Sequence, residues 1–113
     1  MNINDYQKEI GKFAQYPQSS AYYYPLGAIN YTMIGLSNEC GEALGKIKKV
    51  LRGDTSMAEQ REALIDELGD VLWYLTRTAT HLDISVEEIA RRNYGKLTDR
   101  LERGTIKGSG DNR

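Results

Sequence analysis

The chain has 113 residues, a formal net charge of −1 and a single cysteine. This length predicts one small domain over residues 1–113, and the balanced charge lacks the basic excess typical of nucleic-acid-binding proteins. Cys40 has no partner for an internal disulfide, and no secretory leader or membrane-spanning apolar run is recognisable. The composition therefore predicts a soluble, cytoplasmic protein that binds neither nucleic acid nor membrane.

Apolar residues at helical spacing predict a first helix over about residues 4–15 and a second over about residues 27–51. Between them, Pro17 and Pro25 indicate a loop over residues 16–27, because proline interrupts helical hydrogen bonding. This loop separates a short N-terminal helix from the long helix that carries the first group of acidic residues.

Two serine residues mark the starts of later helices. Ser56 is followed by Glu59, and Ser85 by Glu88, at the spacing of a capping box, in which each side chain accepts a hydrogen bond from the other residue's backbone N–H. The third helix is therefore expected to begin at Ser56 and the fourth at Ser85. A glycine-rich, non-helical tail over residues 104–113 is expected to follow the fourth helix.

No segment shows the alternation of apolar and polar residues that is typical of a β-strand. The third helix would extend to about Leu82, and a turn over residues 53–55 would join it to the second helix as an antiparallel pair. The predicted fold is all-α: a helical bundle of four main helices, whose antiparallel central pair carries the acidic motifs. Apolar residues around the third helix, as in the run from Val71 to Leu75, favour an oligomer.

Two pairs of carboxylates are the most informative feature of the sequence. Glu39 and Glu42 lie three residues apart in the second helix, so they share one helix face. Glu67 and Asp70 have the same spacing in the third helix. Each pair is flanked by apolar residues, and facing carboxylates repel one another unless a cation lies between them. The pattern therefore predicts a divalent cation site, and Mg²⁺, a hard ion that prefers oxygen ligands, fits it.

Polar side chains that continue these helix faces are predicted to bind the substrate. Lys46 and Lys49 follow the first acids by one and two turns, where ammonium groups would reach phosphate charge. Arg113 in the tail would meet the bound polyphosphate if the tail folds over it rather than staying a disordered end. The predicted substrate-binding residues are Asn38, Lys46, Lys49, Tyr74, Asn93, Lys96, Arg100 and Arg113.

The residue types exclude several other kinds of site. His81 is the only histidine, so neither a di-iron bundle with two Glu-x-x-His motifs nor a zinc site with several Cys and His ligands can form. No Walker-type phosphate loop and no Ser-His-Asp set is recognisable. If the acids serve only solvation or interface pairing, the chain is instead a non-catalytic helical oligomerisation or regulatory module.

The acidic pattern resembles that of the MazG-like nucleoside triphosphate pyrophosphohydrolases, an all-α superfamily that includes the dimeric dUTPases. Its mark is Glu-Glu-x-x-Glu followed by Glu-x-x-Asp, and the matching segments here are residues 38–42 and 67–70. Asn38 stands where the family has its first glutamate. The segments that also look like small single-domain members from phages and bacteria are residues 31–36, 70–75, 93–97 and 108–113.

This resemblance implies Mg²⁺-dependent hydrolysis of nucleoside triphosphates, NTPs or dNTPs, to the nucleoside monophosphate and pyrophosphate. It implies four metal ligands, which are Glu39, Glu42, Glu67 and Asp70, with Mn²⁺ as a substitute ion. Glu39 or Glu42 would be the catalytic base that takes a proton from the attacking water. The family also implies a homodimer or homotetramer with sites completed across the interface, acting in nucleotide metabolism in the cytoplasm of a bacterium or of a phage-infected cell.

The base of the nucleotide is not fixed by these residues. The stacking area of tyrosine and tryptophan favours purines, guanine nucleotides in particular, whereas a dUTPase-like specialist of the same fold would select dUTP. House-cleaning of damaged nucleotides, alarmone control and remodelling of phage nucleotide pools are all compatible with the sequence.

Overall fold

A computed structural model describes residues 1–17 and 26–112 of the protein. Its helices are α1 (Ile3–Glu9), α2 (Leu26–Leu51), α3 (Met57–His81) and α4 (Val86–Glu102), and a 3₁₀ turn (Ile10–Phe13) follows α1. The described residues contain no strand, so the predicted all-α class is confirmed. Most of the predicted loop over residues 16–27 lies outside the described residues.

The first helix is shorter than the sequence predicts. It begins with a capping box, in which the Asn2 side chain accepts a hydrogen bond from Asp5 N at 2.9 Å. It then tightens into the 3₁₀ turn, where a Cβ on Gly11 would lie 3.1 Å from Arg77 Nη1 of α3. Glycine weakens a helix interior, and at this position it lets the turn approach the buried arginine closely.

Helices α2 and α3 form the predicted antiparallel pair, and the turn between them has well-defined ends. Gly53 adopts a φ of +81°, and Asp54 N donates to Lys49 O at 3.0 Å, which is the Schellman pattern of a helix C-terminus. The Ser56 capping box is confirmed, because Ser56 N donates to Glu59 Oε2 at 2.7 Å and Glu59 N donates to Ser56 Oγ at 3.2 Å. The short turn therefore fixes the two helices side by side.

The second predicted capping box forms only in half. Ser85 Oγ accepts a hydrogen bond from Glu88 N at 3.0 Å, as expected at the start of α4. The Glu88 carboxylate instead binds the guanidinium groups of Arg91 and Arg92, which lower the pKa of Glu88. The reciprocal bond was wrongly predicted because a charge-assisted bond to arginine is stronger than one to a backbone N–H.

Helix α1 holds the turn between α3 and α4. Gln7 Nε2 donates to Ile84 O at 2.9 Å, and Val86 N donates to Gln7 Oε1 at 2.9 Å. One amide side chain thus satisfies an acceptor of the turn and an N–H group of the first turn of α4. The start of α4 is therefore positioned by the N-terminal helix.

The core of the described residues is small. Its fully buried apolar residues are Ile10, Tyr16, Ala28 and Ala79. Large apolar side chains remain exposed on the long helices, including Ile34 at 71% and Leu51 at 82% exposure. The Cα radius of gyration is 17.2 Å, whereas a compact domain of this length has about 13 Å. A single chain therefore leaves much apolar surface uncovered.

No helix in the described part of the chain is both long and apolar enough to cross a membrane.

Candidate active site

The antiparallel pair brings together acids that lie far apart in the sequence. Glu39 of α2 and Glu67 and Asp70 of α3 each offer one carboxylate oxygen, and these oxygens all lie within 4.8 Å of one another. Glu39 and Glu67 are partly buried, whereas Asp70 is exposed. We call these three residues the acid cluster.

The acid cluster carries more negative charge than the chain neutralises. Burial raises the pKa of Glu39, and the neighbouring charges of Glu42 and Asp70 raise it further. The Lys46 ammonium lies 3.1 Å from Glu67 Oε1, and it offsets one of the three charges. An all-oxygen donor set with one exposed side fits a hard divalent cation such as Mg²⁺, which retains water and phosphate ligands.

Glu42 lies beside the acid cluster rather than within it. Its exposed carboxylate accepts a hydrogen bond from Asn38 Nδ2 at 2.9 Å, one helical turn away. Asn38 stands where the resembling family has glutamate, and here its amide orients the next acid of the motif.

A pocket opens directly next to Glu39. It has a volume of about 260 Å³ and is lined by Tyr31, Ile34, Gly35, Asn38, Glu39 and Tyr74. The Tyr74 ring packs on Gly35 so closely that a Cβ there would lie 2.1 Å from Cε1 of the ring. Burial raises the pKa of the Tyr74 phenol, as do Tyr31, to which it is hydrogen-bonded, and the charge of Glu39. The pocket thus combines an aromatic wall, an amide and a carboxylate.

The aromatic wall is supported by residues that the sequence did not single out. Tyr16 stacks on Tyr31 with ring centroids 4.7 Å apart and meets the edge of Trp73 at 6.2 Å. Its hydroxyl accepts a hydrogen bond from Arg77 Nε at 3.0 Å and lies 2.7 Å from His81 Nε2. Only the helical spacing of Trp73 and Arg77 could have hinted that they meet a common partner.

A further tyrosine approaches the acid cluster from α1. Burial and the charge of Asp70 raise the pKa of the Tyr6 phenol. The sequence offered no signal for this proximity, because it depends on how α1 packs against α3.

The predicted substrate-binding residues lie in different parts of the molecule, and only some of them are near the acid cluster. Asn38 and Tyr74 line the pocket, and Lys46 contacts the acid cluster, whereas Lys49 is exposed at the end of α2. Asn93 and Lys96 line a separate groove of about 340 Å³ on α4.

The C-terminal tail contacts two of the predicted phosphate ligands, Lys96 and Arg100. Arg100 is buried, and its Nη2 donates to Asp111 O at 2.8 Å, while Lys96 Nζ lies 3.3 Å from Asp111 Oδ1. The contacts of Lys96 and of Arg100 Nη2 with Asp111 Oδ1, at 3.3 and 3.2 Å, lower the pKa of the Asp111 carboxyl group. Within one chain, Lys96 and Arg100 line no part of the pocket beside Glu39. Arg113 lies outside the described residues.

Comparison with known proteins agrees with this arrangement. A family model described as the MazG nucleotide pyrophosphohydrolase domain matches residues 29–104. The Gene 37 protein of Mycobacterium phage L5 is 38% identical over 115 aligned residues, which cover 100% of both chains. The uncharacterized protein YvdC of Bacillus subtilis (strain 168) is 37% identical over 49 residues, 43% of this chain and 46% of that protein. No solved structure matches the chain significantly.

The fold and the site together place the chain in a class of small all-α proteins. In this class, two antiparallel helices contribute carboxylates to one acidic site. The family match covers all of α3 and α4, nearly all of α2, and all three residues of the acid cluster. The chain belongs to the MazG nucleotide pyrophosphohydrolase family, and the resemblance seen in its sequence is confirmed.

Proposed function

We propose that the protein hydrolyses nucleoside triphosphates, NTPs or dNTPs, to the monophosphate and pyrophosphate in a Mg²⁺-dependent reaction. The observation that carries this proposal is the meeting of Glu39, Glu67 and Asp70 within 4.8 Å in a chain of the MazG family. Carboxylates so close together favour a divalent cation, and a nucleotide triphosphate needs one to offset its own charge.

Glu39, Glu67 and Asp70 would hold the cation, with Glu42 as a fourth ligand or a neighbour. When bound, the cation would offset phosphate charge and make a water molecule more acidic. The chain would position the substrate with the pocket beside Glu39 on one side and with Lys49 at the exposed end of α2. Mn²⁺ would substitute, since it also accepts oxygen ligands.

Glu42 is the residue we favour as the catalytic base, with Glu39 as the alternative. Glu42 is exposed and outside the acid cluster, so its carboxylate is accessible to a water molecule, and the 2.9 Å bond from Asn38 restricts its orientation. A base must lie within hydrogen-bond reach of the water whose proton it takes. Glu39 would be less available, because its carboxylate is crowded by other acids.

The pocket beside Glu39 is proposed as the nucleoside site. Tyr31 and Tyr74 offer aromatic surface to the sugar or base, and the Asn38 amide offers both a donor and an acceptor. Its position next to the acid cluster would put the α-phosphate of a bound nucleotide close to the cation. The preference for guanine nucleotides, predicted from aromatic content alone, stays a prediction.

A homodimer or homotetramer is proposed as the working form. Exposed apolar side chains on α2, α3 and α4, including Leu44, Leu68 and Leu101, would be covered by a second copy. Asn93, Lys96 and Arg100 would then serve a site of the neighbouring subunit. Light scattering should report a dimer or tetramer, and a fully active monomer at micromolar concentration would contradict this assembly.

Turnover over all common NTPs and dNTPs, including dUTP, tests the proposed reaction. Pyrophosphate release should require Mg²⁺, stop with EDTA, and be lost in Glu67→Gln. Strong preference for dUTP would identify a dUTPase-like specialist of the same fold. No turnover of any nucleotide by a folded, oligomeric chain would favour the non-catalytic module and overturn the proposal.

A further inference from the structure

The ion pair between Lys46 and Glu67 differs from the other ion pairs of the described residues. It joins two helices, and its side chains are only 28% and 12% exposed. The pair formed by Arg103 and Asp99 at the C-terminal end of α4 is instead a local surface pair, since its partners lie one turn apart and are 48% and 60% exposed. Surface pairs of that kind contribute little, whereas a partly buried pair between helices reflects a local need for charge balance.

The need for charge balance around Glu67 comes from the acid cluster. Glu67 shares the cluster with Glu39 and Asp70, and the ammonium 3.1 Å from its Oε1 is the compensating charge that the chain supplies there. The sequence predicted Lys46 as a phosphate ligand, but in the structure its ammonium is bound to the Glu67 carboxylate. The ammonium carries a single positive charge, so its full charge offsets either that of the acid cluster or that of the triphosphate, but not both.

We propose that Lys46 is an internal counter-ion, which a divalent cation displaces from Glu67 and which then binds the triphosphate. A divalent cation and an ammonium that share one carboxylate repel each other, so a cation held by Glu67 disfavours the ion pair. The four-carbon stem of lysine lets the ammonium move while its backbone stays in α2. This inference rests on the proposed function, because it requires the acid cluster to bind a cation.

The exchange couples the two ligands of the site. Without nucleotide, the cation competes with Lys46 for Glu67, which weakens cation binding. With nucleotide, phosphate oxygens take the ammonium, and this competition disappears. Cation and nucleotide therefore raise each other's affinity, as linkage requires. Lys46 also limits repulsion among the three acids, so the acid cluster destabilises the helix pair less than it would without this lysine.

The test is a Mn²⁺ titration followed by electron paramagnetic resonance, with Lys46→Met compared with the wild-type chain. Without nucleotide, Lys46→Met should bind Mn²⁺ at least about fivefold more tightly, because the competing ammonium is gone. Lys48→Met is the matched control, since it removes the same charge from an exposed position of α2, and its Mn²⁺ affinity should match that of the wild type. Lys46→Arg should retain the competition and bind Mn²⁺ no more tightly than wild type.

A non-hydrolysable triphosphate with an α,β-imido bridge then measures the coupling. It should raise Mn²⁺ affinity in the wild-type chain and do so much less in Lys46→Met. Equal or weaker Mn²⁺ binding by Lys46→Met without nucleotide would overturn the exchange while leaving the cation site intact. A wild-type chain that binds no Mn²⁺ saturably would overturn the proposed function itself, so the two failures are distinguishable.

A second measurement needs no lysine-to-methionine variant. In a wild-type chain with ¹³Cε-labelled lysines, titration with Mg²⁺ should shift the Lys46 resonance, which the spectrum of Lys46→Arg identifies. The Lys48 resonance should stay in place. A Lys46 signal that does not respond to saturating Mg²⁺ would contradict its displacement from Glu67.

Discussion

Two regions of the α2–α3 pair treat polar groups in opposite ways. Near the start of α2 and the end of α3, the Thr78 hydroxyl donates to the Thr32 hydroxyl at 2.9 Å, and Thr32 donates to Ala28 O at 3.1 Å. There, Tyr16 also receives a hydrogen bond from Arg77. Near the middle of the two helices, three carboxylates lie within 4.8 Å of one another and share one lysine.

This difference distinguishes polar groups that hold the helices together from polar groups that are suited to bind a ligand. A network whose donors and acceptors match one another holds the helices in a single arrangement. The carboxylates of an acidic cluster repel one another and so do not stabilise the fold. Such a cluster is typical of a site where a ligand supplies the opposite charge. Variants in the two regions should therefore affect different observables: activity at the acid cluster and stability at the threonine and tyrosine network.

The largest effect is expected from Asp70→Ala. Removing one carboxylate of the acid cluster should lower kcat/KM at least about 100-fold, because even the loss of a residue that only supports a metal ligand costs about 10–100-fold. Thermal stability without metal should be unchanged or higher, since one like charge has been removed. Turnover and the thermal transition, followed by circular dichroism, should be measured on the same preparation.

Glu62→Ala is the control for this prediction. Glu62 lies on α3 with its side chain 79% exposed, outside the acid cluster, and its removal should leave turnover unchanged. If Asp70→Ala keeps wild-type turnover, the acid cluster is not the cation site.

A smaller loss is expected from Gly35→Ala, which acts on the wall of the pocket. The added Cβ would lie 2.1 Å from the Tyr74 ring, so the ring must move. A displaced ring should raise KM about tenfold, equivalent to about 1.4 kcal/mol of binding, and destabilise the chain by about 1–3 kcal/mol. Nucleotide titrations and thermal melts measure the two effects separately.

Gly45→Ala provides the matched comparison within α2. No atom outside its own helix lies within 4 Å of a Cβ built on Gly45. The same substitution there should stabilise the chain by up to about 1 kcal/mol through helix propensity. Equal effects of the two substitutions on KM would argue against the pocket as the nucleoside site.

In the network of Thr32, Thr78, Tyr16 and Arg77, stability should depend on the protonation of the neighbouring His81. Burial lowers the pKa of His81 below its usual 6.5, and the charge of Arg77 lowers it further. The Tyr16 hydroxyl accepts a hydrogen bond from Arg77 and lies 2.7 Å from His81 Nε2, to which it can donate when that nitrogen is unprotonated. The unfolded chain therefore binds a proton more readily than the folded chain.

The direction of the pH dependence of stability follows from this difference in proton binding. The contribution of His81 to stability is complete above pH 6.5 and is lost as the pH falls below that value, by at most about 1.4 kcal/mol per pH unit. His81→Gln keeps a neutral side chain, so its free energy of unfolding should vary less between pH 7.5 and about 5.5. Parallel curves for the two proteins over this range would refute the role of His81.

The smallest effect is expected at the end of α3. Asp83 adopts a φ of +55°, and Ile84 N donates to Ala79 O at 3.0 Å, which repeats the helix ending seen at Gly53. Glycine adopts this conformation without a steric penalty, so Asp83→Gly should raise the free energy of unfolding by about 0.5–1 kcal/mol. Urea unfolding checks this value, and a loss of stability would mean that the Asp83 side chain makes a contact of its own.

Features that depend on local sequence were predictable. The Ser56 capping box, the C-terminus of α2 and the pairing of acids three residues apart follow from backbone hydrogen bonding and helical periodicity. The antiparallel pairing of α2 and α3 follows from the shortness of the turn between them. These elements were sufficient to bring Glu39 close to Glu67 and Asp70.

Features that depend on tertiary packing were not predictable. The pairing of Lys46 with Glu67 rather than with phosphate needs the relative rotation of α2 and α3, which periodicity leaves open. The stacking of Tyr16 on Tyr31 needs the packing of the segment after the 3₁₀ turn against α2, which periodicity also leaves open. Apolar positions such as Ile34, predicted within the helical pattern, are exposed in the single chain. A sequence pattern identifies an apolar face but not whether its partner belongs to the same chain.

The most direct test of the central claim is phosphorus NMR of the products formed in ¹⁸O-labelled water with Mg²⁺. Attack at the α-phosphorus should give the nucleoside monophosphate, carrying one ¹⁸O atom, and unlabelled pyrophosphate. Nucleoside diphosphate and orthophosphate as first products would contradict the proposed reaction. Label in the pyrophosphate instead would mean that water attacks the β-phosphorus.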